Sequence, residues 1–205
     1  MPLCIDDVLD KYYKGWIDVK LIDGTDVKLC YKTIVDNIER SRSKNRFLIR
    51  EGKYSQNEAE VLNSFDSRKI KTATFNNAAQ LKLSRHKQLL NIDGVGSLNV
   101  ILGKIPIPLG CYHILIPTYP HDKIPKLYLQ EELGGSRFAE TWFELRSTKS
   151  VNFGYFLHFG KFSEGCVTVP YEKYSQSGIV WNSIYHLLLS SRVKYSVIGT
   201  LNVID

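Results

Sequence analysis

Four cysteines in 205 residues are too few for a disulfide scaffold, and none is placed for a metal. Cys4, Cys30, Cys111 and Cys166 form no Cys-X-X-Cys pair, and zinc ligands normally cluster at short spacings. His86, His113, His121, His158 and His186 are as widely scattered. No metal and no cofactor is expected. Long apolar runs are missing too. The longest, around Ile184–Leu189, falls far short of the roughly 18 residues that span a bilayer, so no membrane span is expected. The opening Met1-Pro2-Leu3-Cys4-Ile5-Asp6-Asp7 has neither a basic n-region nor an apolar h-region, so no secretory signal is expected. Asp93-Gly94-Val95-Gly96 is turn chemistry, without the remaining glycines or the following helix of a phosphate loop. Internal repeats and low-complexity segments are absent as well.

What is present suits one domain of about 130–150 residues plus an extension. Lys and Arg outnumber Asp and Glu by 27 to 21, giving a net charge of +6. That mild positive field suits an anionic polymer or surface and does not choose among peptidoglycan, nucleic acid and lipid. Residues 1–72 differ from the rest. Trp16–Ile22 and Val27–Tyr31 alternate apolar with polar across Asp23-Gly24, which predicts a hairpin. Ile34–Arg46 carries a charged helical pattern, and Gln56–Phe65 reads as a short helix. Arg40, Arg42, Lys44, Arg46, Arg50 and Lys53 make the densest basic run, with Phe47 inside it. Glu39, Glu51 and several serines dilute it, which favours a solvated face over a nucleic-acid stripe. From Ala73 onward strand signals dominate: Gln80–Ser84, Leu98–Leu102, Tyr112–Ile116 and Trp142–Arg146. Residues 117–140 form a proline- and glycine-rich loop region, where Tyr119, His121 and Tyr128 can line a cleft or simply face solvent. After Pro170, the spacing of Val180, Trp181, Ile184, Leu187 and Leu188 predicts a helix with one buried face and leaves His186 on the surface. Tyr195, Val197, Leu201 and Val203 predict a last strand.

The chemically pointed segment is Tyr155–Gly160 followed by Ser163-Glu164-Gly165-Cys166-Val167. A mostly apolar strand carries His158 into a glycine turn, and Cys166-Val167-Thr168-Val169 reads as the strand leaving it. Neighbouring strands joined by Phe159–Gly165 can bring an imidazole to a sulfur. Cysteine attacks as the thiolate, and a nearby imidazole takes its proton. Gly160 and Gly165 permit tight turns and leave backbone amides free for an oxyanion. The competing reading is a buried small hydrophobe beside a structural histidine.

Ser163-Glu164-Gly165-Cys166-Val167 resembles the Ser-X-Gly-Cys-(Ile/Val) signature of the L,D-transpeptidase (YkuD-like) catalytic domain. His158-Phe159-Gly160 answers to the family's base histidine, and Ile105-Pro106-Ile107-Pro108-Leu109-Gly110-Cys111-Tyr112-His113-Ile114 to its Pro-X-Gly-X-Tyr strand. The resemblance covers about residues 73–190, and the four features keep the family's order. Standard members carry His at the place of Glu164, Gly at Phe159 and Arg at Thr168, with more residues between base and nucleophile. The short spacing looks more like the compact Tlde1-like effectors of type VI secretion.

The resemblance implies a mainly β, sandwich-like catalytic fold with flanking helices over 73–205, preceded by a small α+β region over 1–72 of unknown role. It implies a cysteine acyltransferase or hydrolase acting on peptidoglycan stem peptides, with Cys166 as nucleophile, His158 as base and Gly165 as oxyanion donor through its backbone. Ser163 then serves the loop, and Glu164 either orients His158 or points to solvent. Arg146, Tyr119, His121 and Gly160 are the candidate substrate contacts. The effector branch further implies an envelope or periplasmic site of action in the producer or a target bacterium, with an immunity protein or a secretion component as partner. A non-catalytic domain of the same fold and a basic nucleic-acid- or surface-binding protein are the rival readings; nucleic acid is not favoured.

Overall fold

The computed structural model describes residues 1–40, 45–61, 66–149 and 154–205. Two compact units emerge: Met1–Phe75 with Ile116–Pro120, and Asn76–Leu115 with His121–Asp205. No helix among the described residues is long and apolar enough to cross a membrane.

The first unit is a seven-stranded antiparallel sheet of β1 (Leu3–Ile5), β2 (Trp16–Leu21), β3 (Asp26–Cys30), β4 (Ile34–Arg40), β5 (Asn45–Ile49), β6 (Glu58–Val61) and β7 (Ile70–Thr72), ordered β3-β2-β6-β5-β4-β1-β7. The expected hairpin is β2–β3, and its turn rests on Gly24 at φ +92°. Helices were expected over Ile34–Arg46 and within Gln56–Phe65; strands occupy Ile34–Arg40 and Glu58–Val61 instead. β-branched Ile34, Val35 and Ile38 favour extended backbone, and pairing with β5 outweighs the weak helical spacing of the charges. The basic run is thereby spread over two strands and a loop. Arg46 pairs with Glu58, and Arg50 lies 3.2 Å from Asp36. Arg42 and Lys44 lie outside the described residues. Cys4 and Cys30 are buried.

The second unit contains β8 (Ala79–Ser84), β9 (Leu89–Ile92), β10 (Gly96–Asn99), β11 (Ile101–Leu102), β12 (Gly110–Leu115), β13 (Phe143–Ser147), β14 (Tyr155–Gly160), β15 (Val167–Pro170), helix α1 (Ser177–Leu189) and β16 (Val197–Ile204). The sheet runs β10-β9-β8-β16-β12-β13-β14-β15-β11. β16 pairs in parallel with β8 and antiparallel with β12, with Thr200 opposite Gln80. Mainly β architecture with flanking helices is what the resemblance implies; the chain is mainly β, and α1 is the one α-helix among the described residues.

α1 covers one face of this sheet. Trp181, Ile184, Tyr185, Leu188 and Leu189 are buried on it, while Val180 and Leu187 sit half-buried at its margin. Trp181 packs on Phe143 and Phe159 and donates its indole N–H to Phe138 O at 3.2 Å. The first helical turn is clamped to Gly134-Gly135: Gly178 N–H bonds Gly134 O at 3.0 Å, and a Cβ on Gly178 would collide with Gly135 O. His186 is half-buried against Phe138 rather than on the surface.

β14 and β15 pair in parallel, with His158 opposite Thr168 and Leu157 opposite Val167. Only the six residues Lys161–Cys166 link them. Parallel neighbours normally need a crossover of a dozen residues or more. Here the link must carry the chain back by about 10 Å of strand rise with about 20 Å of extended reach, which leaves little slack.

Trp181→Ala removes the largest fully buried side chain of this unit and should cost about 3–5 kcal/mol, read as a lower urea midpoint at unchanged m-value.

Candidate active site

The tight β14–β15 link is held by three features. Gly165 sits at φ +105°, where a side chain is strained. Ser163 Oγ donates to Cys166 O at 2.6 Å. Thr168 Oγ1 donates to Phe162 O at 3.2 Å. A fourth support comes from outside: β11 pairs with β15, and the chain after it presses Gly103 against the link. A Cβ on Gly103 would collide with Gly165 N and lie 2.8 Å from Ser163 O. Gly103 has no signature in the sequence by itself; only the fold reveals why it lacks a side chain.

Alternation places the site's side chains on the sheet face opposite α1. Phe143, Phe159 and Trp181 pack together on the helix face. Trp142, Glu144, Phe156, His158, Cys166 and Thr168 therefore share the other face, because strand side chains alternate. Cys166 is level with Phe156, two residues before the rung that pairs His158 with Thr168. Such diagonal neighbours lie about 7–8 Å apart, within reach of long side chains. Both are buried, His158 at 5% exposure and Cys166 at 9%.

His158 is held from three sides. Nε2 lies 3.0 Å from Thr168 Oγ1, Nδ1 lies 3.4 Å from Phe159 O, and the ring stacks on Trp142 at 4.2 Å between centroids. Trp142 also stacks with His121 at 4.1 Å. No hydrogen bond joins His158 to Cys166 in this arrangement. Burial drives the His158 imidazole down to about 4, with the Phe159 carbonyl resisting and His121 adding to the shift. His121 is likewise lowered to about 4 by burial, against the pull of Asp122. Burial raises the Cys166 thiol; a backbone hydrogen bond from Phe156 opposes this, and the Glu164 charge adds to it. At neutral pH the resting pair is a thiol and a neutral imidazole.

The other expected site residues are distributed as follows. Gly160 ends β14 beside the His158 ring, where a Cβ would lie 3.8 Å from Nδ1. Glu164 is exposed. Arg146 lies on the site face but pairs with Glu144 at 2.9 Å. Tyr119 belongs to the other compact unit, in Ile116–Pro120. Tyr128 is buried against Phe159 and Tyr171, with its ring edge beside Gly160. Among the described residues no group of three or more His, Cys, Asp or Glu is arranged for a metal.

No protein-family model matches this chain, and no curated protein matches it. Solved structures of Mycobacterium tuberculosis L,D-transpeptidases are similar to it at low levels. One from strain H37Rv is 11% identical, with 93% of this chain aligned to 76% of that one and a TM-score of 0.35. L,D-transpeptidase 1 is 12% identical over 91% of this chain and 86% of that one, at 0.33. L,D-transpeptidase 3 is 12% identical over 98% and 88%, at 0.35. Likeness of this degree assigns neither a family nor an activity.

Three residues join the site that sequence reading had not placed there. Thr168 stood out only as the place of a family arginine, yet it is two positions after Cys166 on a strand and so shares its face. Trp142 stacks on the imidazole, and Phe156 meets Trp142 and His121 edge-on, through sheet register that no local pattern reveals.

The depressed imidazole couples folding to acid. An unfolded histidine protonates near pH 6.5, whereas folded His158 stays neutral to about 4. The unfolded chain thus binds more protons between these values. The stability from His158 is complete above pH 6.5 and drains away as pH falls to 4, by ~3 kcal/mol in all. Urea midpoints at pH 7 and 4.5 should fall less for His158→Gln than for the parent chain.

Proposed function

We propose that this chain is a cysteine-dependent enzyme acting on the tetrapeptide stem of peptidoglycan through an acyl-enzyme on Cys166. One observation carries it: Cys166 and His158 lie on one face of two paired strands, with a left-handed glycine directly before the thiol. The motif resemblance of residues 155–167 supplies the substrate class.

Sγ attacks the carbonyl carbon joining the third stem residue, diaminopimelate, to the terminal D-Ala. His158 takes the thiol proton as the carbon–sulfur bond forms. The carbonyl electron pair moves onto oxygen, received by the backbone N–H of Cys166 and of Gly165 or Glu164. On collapse the carbon–nitrogen bond breaks, His158 protonates the nitrogen, and D-Ala leaves a thioester behind. An amine then gives a cross-link or an exchanged D-amino acid; water gives a trimmed tripeptide. In either case the thiol recovers its proton through His158.

Because both resting groups are neutral, proton transfer accompanies attack instead of preceding it. The imidazole must also turn from Thr168 and Phe159 O toward the sulfur, which substrate entry would drive. Ser163 keeps the link in register through Cys166 O. Action in an envelope or periplasm, and delivery into a target cell with an immunity protein as partner, rest on the eight-position spacing from His158 to Cys166.

A second reading, a non-catalytic wall-binding domain, is favoured by the raised thiol and the missing bond between Cys166 and His158. Incubation with disaccharide-tetrapeptide and a free D-amino acid, read by mass spectrometry, separates the two. The enzyme reading expects loss of D-Ala, an exchanged stem or a dimer, all abolished in Cys166→Ala. Unchanged muropeptide from folded protein would leave the wall-binding reading.

The pH profile tests the base. His158 must be unprotonated, and it stays so down to about 4. kcat/KM should therefore be level from pH 7 to about 5 and fall only below that. A fall centred near pH 6.5 would mean a base in ordinary solvent contact.

A further inference from the structure

Two loops meet directly before Cys166. Gly103–Leu109 follows β11, and Lys161–Gly165 belongs to the link between β14 and β15. They touch through backbone: a Cβ on Gly165 would lie 3.2 Å from Ile105 O, and Gly103 abuts Ser163–Gly165. Each loop exposes a large apolar side chain, Ile105 at 81% and Phe162 at 80%. Among the described large apolar residues only Met1 and Tyr12 are more open. Leu109, at the end of the first loop, is also exposed.

Neither exposure is needed by the fold. Phe162 contributes its backbone O to Thr168, and in the first loop the buried apolar side chain is Ile107 rather than Ile105. In each loop the residue directly before the apolar tip is an exposed lysine, Lys104 and Lys161. Lys161 Nζ lies 5.5 Å from the Tyr171 ring centre. Glu164 is the exposed acid nearby, so the loops carry two cations against one anion. Apolar tips beside cations match an interface where acyl chains lie beneath anionic headgroups. A protein groove would have no need to repeat the lysine–apolar pair on both loops.

We propose that these loops dock on an anionic lipid surface, with Ile105 and Phe162 inserted and Lys104 and Lys161 on the headgroups. Docking sets the loop that precedes Cys166 at the membrane surface. That lipid-anchored stem peptides are then the substrate rests on the function proposed above; the docking itself does not.

Co-sedimentation of the full chain with vesicles of equimolar phosphatidylglycerol and phosphatidylcholine tests this, against pure phosphatidylcholine. The parent chain and Cys166→Ala should bind the anionic vesicles alike, and binding should weaken in high salt. Ile105→Ser with Phe162→Ser should lower partitioning about tenfold or more, as expected for losing a large buried apolar side chain. Lys104→Ser with Lys161→Ser should lower it severalfold on the same vesicles. These substitutions lie at exposed positions, and unchanged circular dichroism and urea midpoints would certify the fold. Failure to bind, or binding that ignores both pairs of substitutions, overturns the proposal. So does a dimer in sedimentation velocity that Phe162→Ser dissolves, which would give the patch to a second copy. Since no turnover is read, these outcomes are independent of the muropeptide assay.

Discussion

The candidate site depends on pairing two parallel strands across six residues. A reversal that short leaves no room for side chains at its tightest points, which is why Gly103 and Gly165 meet there. The same pairing sets the chemistry. Register puts Thr168 opposite His158 and leaves Cys166 one diagonal away, so the imidazole's nearest polar partner is a hydroxyl, not the sulfur. A shift of one residue would turn Cys166 to the helix face and separate the pair altogether.

Burial then decides the charge state. A thiolate–imidazolium pair would place two charges in a site walled by Trp142, Phe156 and the sheet itself, and desolvation disfavours both. Both groups are accordingly displaced toward neutrality, the imidazole downward and the thiol upward. Such a site is quiet until a substrate carbonyl accepts electrons from sulfur. Stacked aromatic rings hold the imidazole in plane meanwhile, which limits the orientations it must search.

The strands of the second unit were largely legible because alternation is strong from Gln80 onward and in Tyr155–Gly160. α1 was legible from its apolar spacing, although its buried stripe runs through Tyr185 and Leu189 rather than Val180 and Leu187. The first unit was read less well. Charges at Asp36, Glu39 and Arg40 mimic a solvated helix, whereas these residues pair with β5, with Ile38 at a shift in the register. In the site, Cys166, His158 and Gly165 carried local signals in glycine and motif spacing. Gly103, Trp142 and Thr168 act across the sheet, and long-range register leaves no mark in a local pattern. Of the loop tyrosines, Tyr119 falls in the other compact unit and Tyr128 is buried against Phe159 and Tyr171.

β16 lies between β8 and β12 and pairs with both, while at the other end β10 runs through Val100 into β11, which pairs with β15. Thr200 bonds Gln80 across 120 positions of sequence. Closing so large a loop is entropically slow before any pairing rewards it. Until that strand is seated, β8 and β12 each keep an open edge, free to pair with other chains. The nine-stranded sheet therefore has its aggregation-prone interval built into its topology, and the length of that interval is set by how quickly one distant strand finds its slot.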